Sequence, residues 1–123
     1  MPLRLFSRRL LFAGALILPL FPGSGEAHAI LEASEPADGG RVSAGSFSFR
    51  LRFNSRIDRA RSRLTLAGAG QTKSSPPIDP DGPPDILAAT VTLTPGAYVL
   101  RWQVLAVDGH ITRGDVAFTV TGN

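Results

Sequence analysis

Apolar and polar residues alternate along several segments of the chain, and this period of two is the strongest constraint on its fold. From Phe47 to Phe53, phenylalanine or leucine occupies every second position and serine or arginine the positions between. Residues 98–105 and 116–120 repeat the alternation. Such a pattern predicts strands with one buried and one solvated face, and no window shows a helical period with caps.

The remaining segments extend this prediction to most of the chain. Leu64 and Leu66 continue the pattern after a break at residues 56–61, and residues 86–93 are rich in β-branched side chains before the turn at 94–97. Short strands at roughly ten-residue spacing predict an all-β sandwich of two sheets. Residues 68–85, rich in proline, predict a surface loop long enough to be mobile or functional. The chain shows no internal repeat and no second domain.

Residues 1–27 are predicted to be an export signal that is removed. Arg4, Arg8 and Arg9 form a basic start, and residues 10–21 form an apolar run. That run is shorter than the ~20 residues needed to span a bilayer. We therefore expect no membrane anchor after cleavage. The pair Arg8-Arg9 also resembles a twin-arginine signal, so the general and twin-arginine export routes both stay open.

The cleavage point is ambiguous on sequence alone. A cut after Ala27 leaves residues 28–123, enough for one compact domain, whereas a cut after Ala29 matches the A-x-A pattern more closely. The first cut removes three arginines and one glutamate, so the formal charge falls from +3 to +1. This balance implies no nucleic-acid partner.

The two histidines are the strongest candidates for a functional site. Cleavage after Ala27 would give His28 both a free α-amine and an imidazole, which can chelate one metal ion. Asp108 and His110, at positions i and i+2 of an extended stretch, add a carboxylate and a second imidazole on one face. The chain has no cysteine and its only methionine is Met1, so nitrogen and oxygen must supply the donors. Four such donors favour Cu(II).

Proton competition should weaken such a site in acid. All donors must be deprotonated to bind a metal. The reference pKa values, about 6.5 for imidazole and about 7.7–8.0 for an α-amine, lie near physiological pH. We expect copper affinity to fall steeply below neutral pH.

Four stretches together resemble the CopC family of periplasmic copper-resistance proteins. They are residues 28–39, 51–53, 93–102 and 107–118, in the family's order. The resemblance implies a small Greek-key β-sandwich, immunoglobulin-like or cupredoxin-like and of the CopC type, that binds Cu(II) in the periplasm. It implies His28 (through amine and ring), Asp108 and His110 as ligands, and cleavage after Ala27. It further implies delivery to an inner-membrane copper-transport protein of the CopD type, or sequestration.

Two departures from the family pattern narrow this expectation. Some relatives have a methionine-rich loop for Cu(I), but residues 68–85 contain no methionine, which indicates a Cu(II)-only member. Many relatives carry a glutamate where this chain has Ser55, so a fifth ligand from that position is in doubt.

The function expected from these residues is a monomeric, non-enzymatic copper carrier or buffer with one Cu(II) per chain. Two alternatives stay open. A chain that begins at Ile30 would instead be a metal-free immunoglobulin-like interaction module. A copper oxidase using the His28 chelate is disfavoured because Asp108 would occupy a coordination position.

Two further groups of side chains have plainer explanations. Trp102 and Tyr98 are expected to anchor the core. A cluster of arginines favours a solvated sheet face over a polyanion site. These arginines are residues 41, 50, 52, 56, 59, 61 and 63.

Overall fold

The computed structural model describes residues 29–68, 70 and 72–122 of the chain, and the predicted export signal and His28 lie outside them. This part contains eight strands and no helix. The strands are β1 (Leu31–Glu35), β2 (Gly40–Ser43), β3 (Gly45–Phe53), β4 (Ile57–Ala67), β5 (Lys73–Ser74), β6 (Ile86–Leu93), β7 (Gly96–Ala106) and β8 (Ile111–Thr121).

The strands form two sheets that pack face to face. One has three strands in the order β1-β3-β6, and the other has five in the order β2-β8-β7-β4-β5. All neighbours are antiparallel except β2 and β8, which run parallel. The last strand, β8, therefore lies inside the larger sheet between β2 and β7.

The alternating residues predicted to face inward form the core between the sheets. Phe49, Leu51 and Phe53 of β3 are at most 1% exposed, and they face Leu100 and Val104 of β7, both fully buried. The intervening residues of both strands are exposed or half-buried. Period-two patterning therefore placed the core residues of these strands correctly.

Trp102 is a core anchor, as predicted, and it depends on a glycine in the neighbouring strand. Its indole packs edge-on against Phe53, with ring centroids 5.2 Å apart. Its cross-strand partner is Gly114. A Cβ atom at Gly114 would lie only 2.4 Å from Cζ2 of the indole, so only a residue without a side chain fits there. Tyr98, also predicted to be a core residue, is half-buried and stacks on Phe118.

The break predicted at residues 56–61 is wrong. Strand β4 runs without interruption from Ile57 to Ala67, but its pairing with β7 is irregular between Asp58 and Arg63. Ser62 supports this bulge, because its hydroxyl donates to the Asp58 carbonyl at 2.7 Å and accepts from the Leu105 amide at 3.2 Å. The bulge interrupts the apolar alternation although the strand continues.

The proline-rich segment 68–85 is attached to the sandwich. It contains β5, which pairs with β4, and Ile78 packs against the core. The guanidinium of Arg59 donates to the carbonyls of Pro80 and Gly82 at 3.2 and 3.1 Å, to that of Pro83, and to that of Ile86. The interpretation of Arg59 as part of a solvated face is therefore wrong, whereas Arg50 and Arg52 are exposed as expected.

Candidate metal centre

The candidate centre lies at the tight turn that joins β7 to β8. The Ala106 amide donates to the His110 carbonyl at 2.8 Å, and the Gly109 amide donates to the Ala106 carbonyl at 2.9 Å. Gly109 has φ = +92°, in the region that favours glycine. The glycine between Asp108 and His110 thus lets the chain reverse with both side chains at one end of the sandwich.

Asp108 and His110 form a pair in this turn. The Asp108 carboxylate accepts from the His110 backbone amide at 3.0 Å, an Asx-type contact, and its second oxygen lies 2.7 Å from Nδ1 of the His110 ring. The His110 side chain is 62% exposed and that of Asp108 is 24% exposed. The carboxylate thus holds the ring while the imidazole stays open to solvent.

The geometry of this pair fits a metal ion. Bonds from first-row ions to histidine nitrogen and carboxylate oxygen are about 2.0–2.2 Å, so two donors at right angles on one ion lie roughly 2.8–3.1 Å apart. The observed 2.7 Å between Nδ1 and the carboxylate oxygen is close to that spacing. Both donors are thus close enough to bind one ion, provided that the hydrogen bond between them breaks and the two side chains turn toward the ion.

The chain immediately before β1 is anchored at the same end of the sandwich. Ala29 is 1% exposed, and its carbonyl accepts from the Thr112 hydroxyl at 2.8 Å. The Ile30 amide donates to the Asn54 side-chain oxygen at 2.8 Å, and the Asn54 amide donates to the Ile30 carbonyl at 3.0 Å. Thr112 follows His110 by two positions, so the start of the domain lies beside the turn.

The structure therefore brings together two of the three predicted ligands, Asp108 and His110. The third, His28, lies outside the described residues but adjoins the anchored Ala29. Within residues 29–68, 70 and 72–122, no group of three or more histidine, cysteine, aspartate or glutamate side chains could hold a metal.

Sequence reasoning missed Thr112 and Asn54. Thr112 occupies an inward-facing position of β8, where the following inward residues from Val116 to Val120 are apolar. A hydroxyl at such a position indicates a buried hydrogen-bond partner. The partner, Ala29, is 83 residues away, which no local pattern shows.

This architecture is similar to that of known proteins. The sheets and the turn define a small immunoglobulin-like β-sandwich with a histidine–carboxylate pair at one end. The CopC domain model matches residues 31–121, so the chain belongs to the CopC family. The predicted fold class and family are both confirmed.

Three relatives illustrate the similarity. Protein YobA of Escherichia coli K12 is 30% identical over 98 residues, 76% of this chain and 79% of YobA. CopC from Methylosinus trichosporium OB3b superposes with a TM-score of 0.71 at 26% identity, covering 78% of this chain and 96% of that one. PcoC, a methionine-rich copper-resistance protein from Escherichia coli, gives a TM-score of 0.62 at 24% identity, covering 76% and 99%, and this likeness concerns the fold alone.

In the portion of the chain that the structure describes, no helix is long and apolar enough to cross a membrane.

Proposed function

We propose that this protein binds one Cu(II) ion in the periplasm and serves as a copper carrier or buffer. The ligands are His28, through its α-amine and ring nitrogen, together with Asp108 and His110. The observation that carries the proposal is the Asp108–His110 pair, with donors 2.7 Å apart, beside the anchored Ala29. Membership of the CopC family supports the choice of copper.

The burial of Ala29 supports cleavage after Ala27. Ala29 is 1% exposed and its carbonyl accepts from Thr112, so a cut after Ala29 would remove a core residue and its hydrogen bond. A cut after Ala27 keeps both and makes His28 the first residue. Since consecutive Cα atoms are 3.8 Å apart, His28 would then start directly beside the anchored position.

The available donors favour the oxidised ion. Residues 28–123 contain neither cysteine nor methionine, so no thiolate or thioether can stabilise Cu(I). Cu(II) prefers nitrogen and oxygen in tetragonal geometry and has the highest affinity among the common divalent ions.

The exposure of the pair suits a carrier that passes its ion to an acceptor. The His110 ring is 62% exposed, so an acceptor's ligands can approach the ion directly. Ile30, Val107 and Ile111 flank the turn and are 50–62% exposed, three of the four large apolar side chains exposed in the described part of the chain. Such residues favour contact with a protein acceptor, such as an inner-membrane transporter of the CopD type.

The experiment that tests this function uses protein purified from the periplasm. Native mass spectrometry gives the first residue and the number of copper ions retained after one equivalent of Cu(II). Competition titration with a chelator then gives the affinities of the wild type, Asp108→Asn and His110→Ala. Asp81→Asn is the matched control, because Asp81 is an exposed aspartate in the segment 68–85.

We expect a mass that starts at His28 and gains one copper ion. Loss of either ligand should weaken binding more than the roughly 10–100-fold typical of outer-sphere changes, whereas Asp81→Asn should leave affinity unchanged. A chain starting at Ile30 that retains no copper would support the metal-free interaction module instead. Oxygen or peroxide turnover above that of free copper would favour the oxidase.

A further inference from the structure

We propose that Thr112 and Asn54 are positioning residues that hold the first residues of the mature chain in place for copper chelation. This inference rests on the proposed function, since it concerns the His28 chelate. It follows from the way residues 29 and 30 are held, which differs from the way the rest of β1 is held.

Residues 29 and 30 precede the regular ladder. The pairing of β1 with β3 begins at Leu31, opposite Phe53. Before that point, both hydrogen bonds made by side chains to this segment come from other parts of the fold: the Thr112 hydroxyl to the Ala29 carbonyl, and the Ile30 amide to the Asn54 side chain, each 2.8 Å long. These two side chains, together with the bond from the Asn54 backbone amide to the Ile30 carbonyl, therefore extend the order of the strand by two residues beyond its ladder.

Thr112 connects the anchored Ala29 to His110, one of the proposed copper ligands. It lies on β8 two residues after His110, and its half-buried side chain faces inward. Because Thr112 follows His110 by only two residues, its bond to the Ala29 carbonyl holds Ala29 close to the backbone of His110. A hydroxyl at 112 thus sets the distance between the start of the chain and the turn.

Asn54 restrains the next residue in two ways. Its side-chain oxygen accepts from the Ile30 amide, and its own amide donates to the Ile30 carbonyl at 3.0 Å. Both backbone polar groups of Ile30 are thus bonded to a single residue. The Ala29 side chain is also buried in the core, so both hydrogen bonds and apolar packing hold residues 29 and 30.

The two anchors should reduce the conformational entropy that is lost when copper binds. A loose N-terminal segment would have to be ordered when copper binds, and ordering each residue's backbone is unfavourable. Here folding orders residues 29 and 30 before the ion arrives, so the cost of ordering these two residues is not added on binding. Preorganisation of this kind raises affinity without adding a ligand.

The test compares Thr112→Val with a matched control on the same strand. Thr121 also donates its hydroxyl to a backbone carbonyl, that of Val42 at 3.3 Å, but at the opposite end of β8. Thr121→Val therefore removes a similar bond far from the turn. Thr112→Ser restores the hydroxyl, and Asn54→Ala probes the second anchor independently.

Three measurements are made on each mature variant, namely Cu(II) affinity by chelator competition, the Cu(II) d–d and EPR spectra, and amide hydrogen exchange of Ile30 in the metal-free protein. Thr112→Val should weaken copper binding about three- to tenfold, the effect of losing one hydrogen bond of ordinary net strength. Its spectra should show partial replacement of a nitrogen donor by water, and Ile30 should exchange faster. Thr112→Ser should restore all three, and Thr121→Val should change none of them.

Failure of this inference is distinguishable from failure of the proposed function. A wild-type protein that starts at His28 but binds no Cu(II) would remove both. Normal copper binding by the wild type, with unchanged affinity and spectra in both Thr112→Val and Asn54→Ala, would overturn the positioning role alone. Equal weakening by Thr112→Val and Thr121→Val would also overturn it, because the effect would then be one of general stability.

Discussion

Replacing Gly114 with alanine tests how tightly the sandwich holds the indole of Trp102. The new Cβ would lie 2.4 Å from Cζ2 and 2.6 Å from Cε2 of that ring. Carbon atoms in ordinary contact are about 3.5–4.0 Å apart, so the ring or strand β8 must move by about 1 Å.

Neither the ring nor the strand can move without disturbing other contacts. Trp102 is 7% exposed and packs edge-on against Phe53, while β8 is bonded on both sides, to β7 and β2. Overpacking a core typically costs about 1–3 kcal/mol, and we expect the upper half of that range here. For a domain of this size, a loss of about 2 kcal/mol lowers Tm by about 8–16 °C.

Urea and thermal unfolding measure the effect, followed by circular dichroism and by the fluorescence of Trp102, the only tryptophan in the sequence. Gly122→Ala is the control, since its Cβ would meet nothing closer than Pro95 Cγ at 3.8 Å. A Trp102→Phe background should reduce the cost of Gly114→Ala, because the smaller ring leaves space. A Gly114→Ala protein that melts within about 2 °C of wild type, or an equal cost in both backgrounds, would refute this reasoning.

Three other contacts lead to further predictions. Arg59→Gln should destabilise the fold by about 2 kcal/mol and speed proteolysis within residues 79–86, because the bonds from the guanidinium to backbone carbonyls are lost; unchanged cleavage would contradict this. Hydrogen bonds from Arg101 lower the pKa of Asp115, so this pair stabilises the fold above the ordinary carboxyl pKa and loses its effect as pH falls through the lowered value. Acid titrations of wild type and Asp115→Asn should therefore converge in stability at low pH, and a gap that widens there would show the wrong sign. Tyr98→Phe should cost about 1 kcal/mol in urea unfolding, since the hydroxyl donates to the Thr94 carbonyl at 2.8 Å, and no loss would mean that water replaces this bond.

The sequence was sufficient where a residue's role depends on its immediate neighbours. Alternation from Phe47 to Phe53 and from Tyr98 to Leu105 located two central strands, since inward and outward side chains differ in polarity along each one. Asp108 and His110 lie in a turn and not in the extended stretch that we expected, and the turn itself brings their side chains together. Their role as copper ligands stays a prediction.

The sequence alone was insufficient where the role of a residue depends on distant parts of the chain. Arg59 resembles its exposed neighbours in sequence, but its partners are backbone carbonyls more than 20 residues away. Backbone groups carry no residue-specific signal, so neither this contact nor the attachment of the segment 68–85 could be predicted. The start of β4, in the charged stretch after Arg56, was also not predicted. A bulge shifts the apolar alternation there without ending the strand.

The bond between Thr112 and Ala29 has a consequence for when the binding site forms. It joins the first described residue to the last strand, across 83 positions, and β8 completes the larger sheet only when it lies between β2 and β7. Contacts so distant in sequence form late and slowly in folding. A partly folded chain carries Asp108 and His110 without the neighbouring anchor, so on the proposed function tight copper binding would report that the sandwich is complete.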